Sequence, residues 1–114
     1  MLGRLTARAM NRPATFEGAA GAVLDQVRSL GLDTTGARIV DTSGLGRGSV
    51  LPARLLIDVL VMAVGDRRPE LRPLVTGLPV AGFTGTLADR FAGDSARSGA
   101  GLVRAKTGTL TGVG

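Results

Sequence analysis

LVRAKTGTLTGVG, residues 102–114, carries the only lysine of the chain, Lys106; every other one of its 14 basic residues is arginine. The alternation of Leu102 to Thr107 predicts a β-strand. On such a strand Arg104, Lys106 and Gly108 point one way, and Val103, Ala105 and Thr107 the other. One face is then cationic beside a residue with no side chain, so an anionic, extended ligand could lie against the backbone. The same pattern also suits an edge strand protected by a lysine from pairing with other chains. Thr109 to Gly112 reads as a turn into a partner strand.

Working outward from this segment, Gly93 to Gly101 is a loop of small residues. Thr86 reads as the cap of a short helix, Leu87 to Phe91. Leu78 to Gly82 reads as extended, and Pro69 to Val75 as a helical turn ending at Gly77. Pro52 suits the first turn of a helix that runs to Val64 and stops at Gly65. Leu55, Leu56, Ile57, Val59, Leu60, Val61 and Met62 make that helix apolar almost all round, which predicts burial on more than one side. Ala37 to Val40 reads as a short strand, followed by the glycine loop Asp41 to Ser49. Further upstream, Phe16, Ala19, Ala20, Val23, Leu24, Val27 and Leu30 form one helical stripe. Thr15 is its N-cap, Glu17 lies in its first turn, Arg28 in its last, and Gly31 follows its end. Gly18 and Gly21 weaken this helix, which predicts close approach of another segment. Residues 1–12 read as a short basic helix. The expected fold class is therefore α+β, with helices and a sheet that the chain supplies only in part. Two or three short strands cannot cover the apolar helix, so an incomplete domain is expected.

Composition narrows the chemistry. The chain has 114 residues, enough for one domain with a core, and 44% of them are apolar. Phe16, Phe83 and Phe91 are the only aromatics, so the core must be Leu, Val and Ala. There is no cysteine and no histidine, which excludes thiol catalysis, disulfides and histidine-based triads and leaves zinc without its usual soft or imidazole ligands. The net charge of +5 raises nucleic acid as a partner, but the arginines are spread from Arg4 to Arg104 and no Tyr or Trp is present for base stacking. The N-terminus lacks the apolar core of a signal peptide. The most apolar segment, Val50 to Val64, is too short for a membrane span. As written, the chain is expected to be unexported.

Other motifs carry little chemistry. Gly44-Leu45-Gly46-Arg47-Gly48-Ser49 is neither a dinucleotide-binding loop, because Ser49 replaces the third glycine, nor a phosphate loop, because no Lys-Ser/Thr follows. It lies between a predicted strand and a predicted helix, so it reads as a connection, with anion contact at the helix start as the alternative. The nine acids are scattered, and each is explained by a helix start, a turn or a neighbouring arginine. No serine sits in a G-x-S-x-G elbow.

Taken together, four collinear stretches resemble one family: TFEGAAGAVLDQVRSLGLDTTGARIVD (15–41), DTSGLGRGSVLPARLL (41–56), GLPVAGFTGTLADRF (77–91) and VRAKTGTLTGV (103–113). They are similar to the C-terminal half of D-alanyl-D-alanine carboxypeptidases, in particular the class C low-molecular-mass penicillin-binding proteins of peptidase family S13. The resemblance implies a serine transpeptidase/β-lactamase-like fold, an antiparallel sheet with helices on both sides. It implies hydrolysis of the terminal D-Ala–D-Ala bond of peptidoglycan stem peptides through an acyl-serine intermediate, with β-lactams acylating the same serine. Within the K-T-G motif, Lys106 would steady the substrate carboxylate and assist proton transfer, and Thr107 would bind the terminal carboxylate through its hydroxyl. Gly108 would keep the segment clear of the substrate, and Thr109 would offer its backbone N–H to the oxyanion hole. A compact ammonium with a tunable pKa suits such a site better than a guanidinium.

The sequence departs from the family pattern. S-x-x-K is absent, since Val103 stands three residues before the only lysine. S-x-N is absent, since Ala9 stands two before the only asparagine, Asn11. Where the family more often has Asp-Gly-Ser-Gly-Leu-Ser, Thr42 and Gly46 replace the second and last residues. Residues 1–114 are thus expected to form part of a penicillin-binding domain holding the K-T-G segment, inactive alone, with the nucleophile on preceding polypeptide. The implied partners are D-Ala-D-Ala peptides and β-lactams, with no cofactor, no metal, no nucleic acid and no membrane span. The implied location of the parent enzyme is the periplasm or cell wall, whereas the chain as written would stay cytoplasmic. The alternative is a small basic, non-catalytic module binding nucleic acid or an anionic polymer.

Overall fold

The computed structural model describes residues 1–109 and Thr111. Among the described residues four α-helices follow one another: α1 (Leu2–Ala9), α2 (Phe16–Ser29), α3 (Ala53–Val64) and α4 (Arg72–Thr76). Three 3-10 turns, Pro69–Leu71, Gly85–Leu87 and Arg97–Gly99, complete the regular structure of those residues. Two compact units are distinguished, Met1–Val59 and Leu60–Gly114.

In the first unit, α1 packs against α2. The Thr15 hydroxyl accepts the Gly18 amide at 3.0 Å, capping α2 as its sequence predicts. Gly31 follows the helix at φ +83°, a conformation costly for any residue with a Cβ, and its amide closes on the Arg28 carbonyl at 2.8 Å. The glycines inside α2 receive the expected neighbours. A Cβ at Gly18 would overlap the Pro13 carbonyl, and one at Gly21 would lie 2.8 Å from the Arg12 guanidinium. That guanidinium pairs with Asp25, which also accepts Arg28 Nη1 at 2.8 Å. Arg28 Nε reaches Thr34 Oγ1 at 2.8 Å, satisfying a buried hydroxyl.

The buried apolar side chains here are Ala7, Ala19, Ala20, Ala22 and Leu55. Alanines let two helix backbones approach closely, but each contributes little: a buried methylene-sized group gives about 0.8 kcal/mol, against about 1.5–3 kcal/mol for a large aliphatic side chain. The predicted α2 stripe holds at Ala19 and Ala20. At its start, however, Phe16 is exposed and carries the Arg4 guanidinium 4.7 Å from its ring centroid.

The expected sheet is absent: among the described residues there is no β-strand. Two isolated antiparallel bridges stand in its place, Arg38 with Val50 and Val80 with Arg104. The α+β assignment is therefore corrected to an essentially helical one, and the strands read at Ala37–Val40 and Leu102–Thr107 shrink to one paired residue each. Local chemistry stops both pairings. Arg38 and Val50 exchange two backbone bonds of 2.7 Å. The next amide, that of Val40, then goes to the Ser49 hydroxyl at 3.2 Å, and Asp41 accepts both the amide and the hydroxyl of Ser43 at 2.8 Å. Asx chemistry of this kind competes with ladder bonds. The glycine loop is thus a connection closed on itself, with Arg38 Nε also donating to the Gly48 carbonyl at 2.8 Å.

In the second unit, Ala81 N donates to Val103 O at 2.9 Å and Ala105 N to Pro79 O at 3.1 Å, flanking the Val80–Arg104 pair. Pro79 has no N–H with which to extend the ladder. Val80 N is taken by Thr84 Oγ1 at 2.8 Å, and Val103 N by Gly99 O at 3.0 Å. Beyond the bridge, the helix expected at Leu87–Phe91 is replaced by the 3-10 turn Gly85–Leu87, and Thr86 caps nothing. The turn read at Thr109–Gly112 lies partly outside the described residues. Ala63, Ala81 and Leu87 are the buried apolar residues of this unit.

Helix α3 begins just after Pro52 and ends before Gly65, where its sequence places it. Its predicted burial on several sides is not found. Only Leu55 and Ala63 are buried, while Ile57 is 57% and Val61 62% exposed, and Leu56, Leu60 and Val64 are exposed as well. The physical reason follows from the missing sheet: an all-round apolar helix needs a layer on each side, and no layer of strands forms among the described residues. No helix among them is long and apolar enough to cross a membrane.

Candidate functional site

The Lys106–Thr109 segment leaves the Val80–Arg104 bridge and runs on without helix or strand. Its entry is held from both sides. Arg104 Nη1 donates to the Thr76 carbonyl at 3.2 Å, beside α4, and the Pro79 carbonyl holds the Ala105 amide at 3.1 Å. The guanidinium therefore serves the architecture, and the ammonium two residues later is left at the surface.

Lys106 is exposed, and its Nζ donates to the carbonyl of Thr107. An ammonium carries three donors, so this contact leaves others for a ligand. Thr107 is half-buried, and its Oγ1 donates to Thr86 Oγ1 at 2.8 Å. Gly108 is exposed, and a Cβ built there would meet nothing within 4 Å. Thr109 is exposed as well. One cation, one oriented hydroxyl and a bare stretch of backbone thus stand in sequence on an accessible segment. That set can hold an anionic oxygen, and it contains no serine.

Thr86 departs from its sequence reading: it caps no helix and instead faces Thr107, 21 positions further along the chain. No sequence spacing signals this contact, because the two hydroxyls come from separate segments.

In the first unit, a mostly apolar cavity of about 360 Å³ lies between α1, α2 and the glycine loop, lined by Leu2, Thr6, Val23, Ile39, Thr42 and Leu51 among others. It contains none of the four K-T-G-T residues. The carboxylates paired with Arg12, Arg28, Arg54, Arg68 and Arg72 show how part of the positive charge is neutralised locally.

A sequence profile of the D-Ala-D-Ala carboxypeptidase 3 (S13) family matches residues 1–114, the K-T-G segment included. The chain belongs to that family. Its similarity to individual members is of the same kind. It is 52% identical over 113 residues to the carboxypeptidase DacB of Mycolicibacterium smegmatis, which covers 98% of this chain and 25% of that protein. A carboxypeptidase of Mycobacterium tuberculosis is 45% identical over 113 residues, with 98% of this chain and 24% of that protein covered. A D-alanyl-D-alanine carboxypeptidase of an Actinomadura species is 38% identical over 104 residues, covering 87% of this chain and 18% of the relative. The S13 chain described here therefore spans about a quarter or less of the length of these relatives.

Proposed function

We propose that residues 1–114 are the K-T-G-bearing part of a serine-type D-Ala-D-Ala carboxypeptidase that acts on peptidoglycan stem peptides. The observation that carries this reading is the S13 family match, which runs across Lys106-Thr107-Gly108-Thr109. The accessible cation and the oriented hydroxyl of that segment are compatible with it.

In this reading a serine from polypeptide outside the sequence attacks the carbonyl carbon of the D-Ala–D-Ala bond. A C–O bond forms, the C–N bond breaks, and the terminal D-alanine leaves with the proton taken from the serine. Water then hydrolyses the acyl-serine and regenerates the hydroxyl. Lys106 steadies the substrate carboxylate and assists the proton transfers. Thr107 donates its hydroxyl to that carboxylate. Gly108 leaves room for the peptide backbone, and the Thr109 amide faces the oxygen that becomes negative in the tetrahedral intermediate. The substrate lies outside the cytoplasmic membrane, so the parent enzyme acts there. β-Lactams would acylate the same serine.

Fluorescent penicillin tests this reading directly. The isolated 114-residue chain should remain unlabelled, because it lacks both S-x-x-K and S-x-N. The full-length protein carrying it should be labelled covalently, and Lys106→Ala should slow labelling by about 10²–10⁴-fold, the usual worth of a proton-transfer group. Labelling of the isolated chain, or full labelling rates in the Lys106→Ala protein, would overturn the assignment.

A further inference from the structure

We propose that Thr86 is a positioning residue for Thr107: its hydroxyl fixes the Thr107 side chain and supplies a proton to Thr107 Oγ1 when Thr107 turns its own proton toward a ligand anion. The inference rests on the carboxylate-binding reading of the segment given above.

A threonine hydroxyl has one proton and two lone pairs. In the ligand-free protein Thr107 Oγ1 and Thr86 Oγ1 lie 2.8 Å apart, a bond that either hydroxyl can donate and that, when Thr107 donates it, occupies the Thr107 proton. A carboxylate offers only lone pairs, so it can be held by Thr107 only if that proton is released. Thr86 makes the release inexpensive. Its own O–H can rotate to donate to Thr107 Oγ1, while the Thr107 O–H rotates to the anion. Two bond rotations convert one arrangement into the other, and no heavy atom need move. The resulting relay, Thr86 to Thr107 to carboxylate, polarises each bond in the same sense, and the charge-assisted end of such a chain is its strong one. Without a hydroxyl at position 86, Thr107 would have to orient itself against water alone.

The surrounding bonds keep the two oxygens in register. Thr86 sits in the middle of the Gly85–Leu87 turn, closed by Ala88 N on Gly85 O at 3.2 Å. The turn is anchored inward by buried Leu87, whose carbonyl accepts Gly82 N at 2.9 Å. Thr84 Oγ1, two residues before Thr86, accepts Val80 N at 2.8 Å, and Val80 stands opposite Arg104 in the bridge that leads to Thr107. Thr86 and Thr107 are therefore tied to the same bridge from its two sides. Thr86 is held by its 3-10 turn, whereas Thr107 lies in no helix or strand, and in this proposal its rotamer is set by the hydroxyl contact. The Thr86 hydroxyl bonds to Thr107 while Lys106 bonds to the Thr107 carbonyl, so the effect of position 86 on a ligand would pass through Thr107.

The test uses the full-length protein carrying these residues and its Thr86→Val and Thr86→Ser variants, with amide spectra confirming that each is folded. Three-bond couplings from the Thr107 γ-methyl carbon to its backbone report the rotamer without any ligand. They should show one rotamer in the wild type, averaging in Thr86→Val, and recovery in Thr86→Ser. Titration with N-acetyl-D-alanyl-D-alanine, followed at the Thr107 amide, should then show binding weakened by about 3- to 10-fold in Thr86→Val and within about twofold of wild type in Thr86→Ser, the range of one neutral hydrogen bond. The C-terminal amide of the same dipeptide should not discriminate between the variants. Unchanged couplings in Thr86→Val overturn the positioning role. Equal dipeptide affinity in wild type and Thr86→Val overturns the relay. A wild type with a fixed Thr107 that ignores the dipeptide overturns the carboxylate reading of the segment while supporting the positioning of Thr107 by Thr86.

Discussion

Arg104 stands opposite Val80 in an antiparallel bridge and sends its guanidinium back to the Thr76 carbonyl, 3.2 Å from Nη1. One residue thus joins the end of α4 to the segment that delivers Lys106. Replacing Arg104 with alanine should destabilise the chain by about 1 kcal/mol, toward the low end for a charged donor because the contact is exposed. Urea unfolding would measure it. Amide exchange at Ala81 and Ala105 should accelerate at the same time, since both amides close the bridge.

Thr15 tests the local logic of α2. Thr15→Ala removes the acceptor of the Gly18 amide and should cost about 1 kcal/mol, while Thr15→Asp should stay within a few tenths of wild type. Thermal melts followed by helix signal would resolve the difference.

Two substitutions in α3 separate its buried and exposed sides. Leu55 is 4% exposed, so Leu55→Ala should cost about 2–4 kcal/mol. Ile57→Lys and Val61→Lys replace exposed apolar side chains and should each change stability by less than about 0.5 kcal/mol while raising the concentration at which the chain stays dispersed. Denaturant curves and light scattering give the two readouts.

Two aspartates set the acid response. Ser43, through its hydroxyl and then its amide, holds the Asp41 carboxyl below the ordinary aspartate value, and the Thr35 amide, followed by the Thr35 hydroxyl, does the same for Asp33. A depressed folded pKa means that these bonds stabilise the fold above the unfolded value, about 3.9. That contribution is lost as pH falls from there through the lower folded pKa. Carbon-detected titration should place both midpoints below 3.9. Ser43→Ala should move the Asp41 midpoint upward and leave Asp33 in place. Equal midpoints in both proteins would remove the Asx explanation of the glycine loop.

The elements that were legible in the sequence are those whose signals are local. The Thr15 cap, the stop at Gly31, the start of α3 after Pro52 and its end before Gly65 each depend on neighbours within a turn or two. The strands were not legible, because pairing is decided by competition. The Val80 amide prefers the Thr84 hydroxyl, the Val103 amide prefers Gly99, and Pro79 has nothing to donate. Alternation at Leu102–Thr107 reports only which side chains would share a face. The burial of α3 failed for a related reason: apolar periodicity states what a helix needs, not whether a partner layer forms. Of the candidate site, Lys106 and Thr107 were readable as a motif, but the Thr86 hydroxyl facing Thr107 comes from a distant turn that no spacing rule connects to it.

The two bridges also bear on the order of assembly. The first closes a ring spanning 12 positions (38 to 50) and the second one spanning 24 (80 to 104). Ring-closure entropy grows only with the logarithm of length, so the second costs about 0.6 kcal/mol more than the first. Each lies wholly inside one compact unit. Neither nucleus has to wait for distant chain to arrive. Refolding of each bridge should therefore be rapid, with the shorter loop closing first.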